Sequence, residues 1–300
     1  MRIFGFISIL AISVFILCKP STLTNNDSAK VHYSRIISLA PSITETLFAL
    51  GLGDRVVGVT RYCNYPPEVL KIPKLGGYLD PNYETILSLK PDLVILLKEH
   101  IKVIDFLQHN HIHYEIIDNE SLPTILKSIV QIGKLCSKEK QADSIISLFK
   151  AEKIEVAAPV EKKPRILFCI GRDNTGSGRI VQMYAAGPKS FYSQLINYAG
   201  AENAYSDSLC AYPLVTAEGI IRMSPDIIID LMAPISHIDI SNVKNDWNCL
   251  ACVPAIKNGF VYCPDQDFMT IPGPRIYLII KEIKTAVRDF QTKTPVSPHL

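Results

Sequence analysis

Apolar and polar positions alternate along the chain with two periods. Residues 35–39, Arg-Ile-Ile-Ser-Leu, are a short β-branched run that Pro41 stops. Ile43, Leu47, Phe48 and Leu50 then recur at helical spacing and share one side. Ser42 followed three residues later by Glu45 has the form of a capping box at the start of that helix. Gly51 and Gly53 end it. A second strand is predicted over 56–59, followed by the turn-rich stretch 60–67. A helix is predicted over 80–89, with Pro81 near its first turn and Ile86, Leu87 and Leu89 as its apolar face. Lys90-Pro91-Asp92 breaks it. The wholly apolar run 93–97 suits a strand buried on both faces. Helical sequence over 101–108, a strand over 113–117 and a helix over 121–135 complete the first half. Strands separated by helices describe parallel βαβ units.

Residues 141–156 read as one sustained helix, with Ala142, Ile145, Ile146, Phe149 and Ile154 as its stripe. An Ala/Pro/Lys-rich segment, 157–164, ends it, and it is the natural connector. Beyond it the pattern repeats. There is a strand over 165–170, a glycine-rich stretch 171–178, helices over 190–198 and 216–223, and strands over 226–231 and 260–263. An amphipathic helix over 274–291 closes the chain. The clearest echo sets Ser88-Leu89-Lys90-Pro91-Asp92 beside Arg222-Met223-Ser224-Pro225-Asp226; each is followed by an aliphatic strand and preceded by a helix carrying a glutamate, Glu84 or Glu218. Two similar α/β lobes with parallel-sheet cores, joined by one helix, are the expected architecture. The expected divisions are 1–18, 19–34, 35–136, 137–160, 161–292 and 293–300.

The N-terminus changes the picture of where this chain works. Arg2 precedes a run, 3–17, that is apolar except for Gly5, Ser8 and Ser13. That charged-then-apolar order, too short for a comfortable membrane span, is that of a secretory signal, and the polar stretch 19–30 behind it suits a flexible leader. Cys18 stands where a lipid-modified cysteine would, although Phe15-Ile16-Leu17 lacks the small residue usual before one. Apolar residues make up 48% of the chain and charged residues 20%, enough for sizeable cores. A formal charge of +2, spread along the sequence, leaves no nucleic-acid footprint.

Candidate chemistry is sparse. The chain has no GxSxG, HExxH or Walker loop. The stretch 171–178, Gly-Arg-Asp-Asn-Thr-Gly-Ser-Gly, is phosphate-friendly in composition but lacks the Lys-Ser/Thr ending of a nucleotide loop. Cys249 and Cys252 form a single CxxC with no second pair at zinc spacing, in loop-like sequence. Together these two features would carry the enzyme reading, a metal- or redox-dependent one. His109, His111 and His113, with His100 upstream, alternate so that they could share one side of an extended segment. No carboxylate or cysteine completes a metal set, so a surface loop is the better reading. Tyrosines are more telling. Tyr62, Tyr65, Tyr78 and Tyr83 cluster in the turns of the first half, and Tyr184, Tyr192, Tyr205 and Tyr212 in those of the second, with Phe268 and Arg275 later. Tyrosine and arginine at loop tips suit a cleft gripping a large, partly apolar, partly anionic ligand.

Four stretches, 35–69, 76–96, 212–230 and 247–275, together resemble the helical-backbone (class III) substrate-binding proteins of ABC importers, most closely the vitamin B12 (cobalamin)-binding branch. The ferric-siderophore and haem branches are near neighbours. The resemblance implies two Rossmann-like lobes bridged by a rigid helix, with ligand held between them. It implies a monomer, not an enzyme, with no cofactor, whose cargo is a corrinoid. On the resemblance Ser42, Tyr62, Tyr78, Tyr212, Asp267, Phe268 and Arg275 are the ligand-binding positions. Glu84 and Glu218 would each face an arginine of a dimeric membrane permease. This chain departs from the cobalamin binders in having a single tryptophan, Trp247, outside the expected walls, and aliphatic Leu97 and Ile170 where aromatic rings could stand.

Overall fold

Four short strands, β1 (Ile36–Ser38), β2 (Val56–Val59), β3 (Leu93–Leu97) and β4 (Tyr114–Ile117), form the first sheet in the order β2-β1-β3-β4, all neighbours parallel. The structure is a computed structural model that describes residues 32–152, 163–207, 210–231 and 239–293. The expected signal at 1–18, most of the leader, the end of the expected connector and the tail beyond 293 lie outside those residues. The helices α1 (Pro41–Ala49), α2 (Tyr83–Ser88), α3 (Ile101–His109) and α4 (Leu122–Leu135) link and follow the strands. The run 93–97 is buried on both faces, as its composition predicts: Leu93, Ile95 and Leu97 enter one apolar core, Val94 and Leu96 the other.

The connector expected over 141–156 is α5 (Glu139–Ala151), with Ile154 outside the described residues. It shares its bridging task with α4. Ile129 and Ile132 of α4, and Ala142 of α5, pack in the first lobe's core. Leu122 and Ile125 of α4, and Phe149 of α5, pack in the second lobe's core. The two helices meet closely, because a Cβ on Gly133 would lie 2.7 Å from that of Ala142.

The second sheet contains β5 (Arg165–Arg172), β6 (Gln182–Ala185), β7 (Glu202–Asn203), β8 (Leu214–Thr216), β9 (Ile227–Asp230) and β10 (Val261–Tyr262). Its order is β10-β9-β5-β6-β8, with β7 also paired to β5. The β10-β9-β5 core is parallel, whereas β6 and β8 are added antiparallel at one edge. Helices α6 (Phe191–Tyr198), α7 (Ala217–Met223), α8 (Ile240–Asp246), α9 (Pro254–Lys257) and α10 (Ile276–Lys293) surround it. Among the described residues no helix is long and apolar enough to cross a membrane.

The sequence echo has a common geometry. Asp92 accepts the backbone N–H of Arg35 at 2.9 Å, and Arg35 donates to the Leu89 carbonyl. Asp226 accepts the backbone N–H of Arg165 at 2.9 Å, and Arg165 donates to the Met223 carbonyl. In both lobes the arginine at the start of the first strand thus ties the end of a short helix, and the aspartate just before the strand paired beside it ties back to that arginine. Lys90 and Ser224 even share a left-handed backbone, φ 46° and 48°.

One local expectation fails. Neither Ser42 nor Glu45 caps α1; the N-cap residue is Ala40, with no side-chain bond, and Pro41 opens the helix. Likewise α2 begins at Tyr83, after Pro81, with Asn82 accepting the Thr85 N–H at 2.8 Å as its cap.

Candidate functional site

The C-terminal ends of parallel strands are where an open α/β sheet leaves room for a ligand. Here the ends of β3, β4 and β5 deliver Leu97, Ile117 and Ile170 to one cleft of about 630 Å³, so both lobes contribute its floor. Tyr78 stands on one wall and Tyr212 on the other. The rim is mixed, with Lys98, Glu99, Asp118, Glu120 and Lys189, and no arginine among the lining residues.

The wall tyrosines are fixed by their neighbours. Tyr78 donates its hydroxyl to Glu99 at 2.5 Å and lies 4.7 Å from the His100 ring. His100 is buried and bonds through Nε2 to the Tyr78 carbonyl at 2.8 Å. Burial, and then the Glu99 carboxylate, push the Tyr78 hydroxyl far above the usual range. Burial and the charge of Glu120 push Tyr212 upward as well. Both rings therefore stay protonated at neutral pH, as neutral walls with a hydroxyl donor. Glu120 itself is paired with Lys98 at 2.6 Å.

Ser42 reaches this cleft indirectly. Its hydroxyl accepts from Asn119 Nδ2 at 2.8 Å, and Asn119 lines the cleft. Asn119 Oδ1 is buried with no protein hydrogen bond. Sequence reasoning missed Asn119 and Glu99. Their signal is positional: each lies just past the end of a parallel strand.

Arg275, Asp267, Tyr62 and Phe268 do not line the cleft. Arg275 lies beside a second depression of about 410 Å³, with Glu45, Phe48 and Tyr65. It donates from Nε and Nη2 to the two Glu45 carboxylate oxygens at 2.8 and 2.6 Å, a bidentate pair. It also donates to Asp267 at 2.8 Å, and its guanidinium lies 3.7 Å from the Tyr65 ring centre. Glu45, expected as a helix cap, is instead buried and clasps the other lobe. Phe268 packs at the edge of the second core, and Tyr62 is 51% exposed beside Arg61.

The glycine-rich loop is occupied by the chain itself. Asp246 accepts the backbone N–H groups of Gly176 at 2.6 Å and Gly178 at 2.5 Å, and Arg172 at 2.7 Å. The cradle that suggested phosphate thus holds an internal carboxylate. Arg172 also bonds Asp230 at 3.0 Å, which accepts the indole N–H of the fully buried Trp247. Cys249 and Cys252 are not disulfide-bonded, and the Cys249 thiol donates to the Asp246 carbonyl. His109 bonds its own helix and His113 stacks on Tyr33, so the alternating histidines do not converge. No group of three or more metal-ligating side chains occurs among the described residues.

Glu84 and Glu218 are exposed in the first turns of α2 and α7. Each is followed three residues later, on the same helix face, by an exposed aliphatic side chain, Leu87 (44% exposed) or Ile221 (45%).

Residues 36–267 match the sequence profile described as "Periplasmic binding protein". An uncharacterised ABC transporter substrate-binding lipoprotein of Bacillus subtilis (strain 168) is 30% identical over 275 residues, 88% of this chain and 83% of its own length. A vitamin B12-binding protein of Pectobacterium carotovorum is 28% identical, covering 83% of this chain and 86% of its own. A crystal structure from Staphylococcus epidermidis, described as a possible iron-binding, periplasmic solute-binding protein, superposes with a TM-score of 0.71. It is 26% identical and covers 86% of this chain and 99% of its own.

Proposed function

Because the chain belongs to the periplasmic binding protein family, whose members capture a solute for an ABC transporter and are not enzymes, we propose that its cargo is cobalamin or a related corrinoid. The ligand is the transported solute, not a cofactor. The observation that carries the corrinoid reading is the cleft between the lobes. Its walls are two neutral tyrosines, and its lining holds three carboxylates against two lysines and no arginine. A large, amide-rich, uncharged macrocycle suits such a lining, since flat rings pack on Tyr78 and Tyr212 while Glu99, Asn119 and the tyrosine hydroxyls meet peripheral amides. The 28% identity to a vitamin B12-binding protein supports the same cargo.

Of the positions carried over by resemblance, Tyr78 and Tyr212 are proposed as direct walls and Ser42 as the support of Asn119. Tyr62 and Phe268 are proposed as contacts for ligand parts that project beyond the floor. Asp267 and Arg275 are proposed to hold the lobes at the spacing the ligand needs.

Isothermal titration of the purified protein with cyanocobalamin tests the cargo. One equivalent per chain is expected, with the corrin absorbance co-eluting in gel filtration. Haem or a ferric siderophore is the competing cargo, favoured by the description of the Staphylococcus epidermidis structure. A Soret band shifted and sharpened from that of free haemin on titration, with no heat from cyanocobalamin, would establish a haem cargo and overturn the corrinoid reading.

The family implies a membrane permease as partner. We assign the docking contacts to Glu84 and Glu218, supported by their matched places in the two repeats and by the matched aliphatic neighbours Leu87 and Ile221. Carboxylates on two separate lobes orient and steer such an encounter more than they tighten it. The charged-then-apolar N-terminus supports export by a signal at 1–18; the lipoprotein relative supports the alternative, in which the chain is cut ahead of Cys18 and anchored there.

A further inference from the structure

The two sides of the cleft offer a ligand different things. Past the ends of β3 and β4 the first lobe sets Glu99, Asp118, Asn119 and the Lys98–Glu120 pair into the lining. A carboxylate only accepts hydrogen bonds, an ammonium only donates, and a carboxamide does both. The donors of this wall are spent on their own neighbours. The Lys98 ammonium is held by Glu120 at 2.6 Å, the Tyr78 hydroxyl donates to Glu99 at 2.5 Å, and Asn119 Nδ2 donates to Ser42 at 2.8 Å. The groups with capacity to spare are acceptors: the Glu99 and Asp118 carboxylates and the Asn119 carbonyl oxygen. That oxygen, Oδ1, is the only buried side-chain oxygen or nitrogen among the described residues with no hydrogen-bond partner. A buried acceptor left unpaired costs free energy, so one kept in the lining of a ligand cleft points to a donor on the ligand. The amide turns about its last side-chain torsion at little cost, which brings Oδ1 to a group pressed against the wall. Across the cleft the second lobe sets Lys189 and the Tyr212 hydroxyl, which are donors.

We propose that the first-lobe wall reads the edge of the cargo as hydrogen-bond donors, and that Glu99 and Asn119 determine specificity for carboxamide over carboxylate side chains. The assignment rests on the corrinoid reading, and adds to it which functional group is selected and by which residues. A primary carboxamide brings N–H donors to Glu99 and to Asn119 Oδ1. A carboxylate of the same shape brings none, leaves Oδ1 unpaired and sets like charge against Glu99 and Asp118. A site built around hydrogen bonds rejects the analogue that lacks them more firmly than an apolar pocket rejects a change of size. Repulsion of this kind excludes macrocycles with acidic edges without any clash of shape.

The probes are cyanocobalamin and its monocarboxylic acid isomers, in each of which one peripheral propionamide is hydrolysed to a propionate. Each is titrated calorimetrically into the unchanged protein, Glu99→Gln and Asn119→Asp. The unchanged protein is expected to bind at least one isomer on the order of tenfold more weakly than cyanocobalamin, the loss of a hydrogen bond to a charged or buried acceptor. Glu99→Gln, which still accepts the Tyr78 hydroxyl and gains an N–H, is expected to narrow that gap to about threefold or less. Asn119→Asp, whose carboxylate accepts from the Ser42 hydroxyl, is expected to widen it. A merely structural role would weaken every probe alike. Three results overturn the assignment while leaving the corrinoid reading in place: equal binding of all probes by the unchanged protein, a gap that Glu99→Gln leaves as it was, or a gap that vanishes in high salt and so reports only the general field of the cleft. Should Asn119→Asp fail to fold, Glu99→Gln, at an exposed position, decides alone. If the unchanged protein binds neither cyanocobalamin nor its isomers, the corrinoid reading falls and this assignment falls with it.

Discussion

Arg275 is enclosed on three sides: Glu45 opposes it, Asp267 flanks it and Tyr65 stacks on it. Glu45 is 4% exposed at its side chain. Removing its partner strands a carboxylate away from water, which costs far more than the pair itself contributes. Arg275→Ala is expected to lower stability by about 3–5 kcal/mol in urea unfolding, whereas Asp267→Ala, whose carboxylate is half exposed, costs much less. On the ligand side, Tyr212→Ala is expected to weaken cyanocobalamin binding by about 30-fold, the loss of an aromatic anchor worth roughly 2 kcal/mol, without moving the unfolding midpoint. Tyr78 and Tyr212 were legible in the sequence as loop tyrosines. The partner of Arg275 was not. Glu45 stands three residues after Ser42, and local spacing alone offers it a capping role. Its true partner lies 230 positions away, beyond the reach of any periodicity.

At the scale of elements, the buried strands and their intervening helices followed directly from composition, since runs such as 93–97 admit few other placements. Strands β6 and β8 did not, because three or four residues with one polar face carry too little pattern to stand out from a loop. The glycine-rich loop shows the opposite difficulty: its composition was informative but its ligand was not. Asp246, at the end of α8, fills the cradle. Burial alone would raise this carboxyl; the Gly176 amide, Arg172 and the Gly178 amide outweigh it and hold the group below the usual range. A folded-state value below the unfolded one contributes stability that is fully present above about pH 4, the ordinary carboxylate value, and is lost as pH falls through the lower folded value. Acid unfolding of the unchanged protein should therefore steepen below that pH. Asp246→Asn should be less stable at pH 7 and show a shallower acid limb by circular dichroism. An unchanged acid limb would mean that another carboxylate dominates.

For the molecule as a whole, two lobes were legible from the repeated helix–Pro-Asp–strand phrase, and the Arg35–Asp92 and Arg165–Asp226 ties show that the repeat extends to hydrogen bonds. The extent of the bridging was less so, because α4 looks like one more helix of the first lobe until its contacts with the second lobe's core are seen. The docking proposal belongs at this scale. In cells where this protein is the sole receptor, Glu84→Ala with Glu218→Ala should abolish corrinoid uptake while calorimetric binding of cyanocobalamin by the purified variant stays within about twofold. Lost binding in the purified variant would place the two glutamates at the ligand instead.

Glu45 emerges long before Arg275 in any chain read from its first residue. Until the closing stretch arrives, α1 holds a negative charge with nothing to set against it, at a position the finished protein seals from water. Helices α4 and α5 likewise offer Leu122, Ile125 and Phe149 to a core whose other members have not yet been made. The first lobe is accordingly latched by residues that come last.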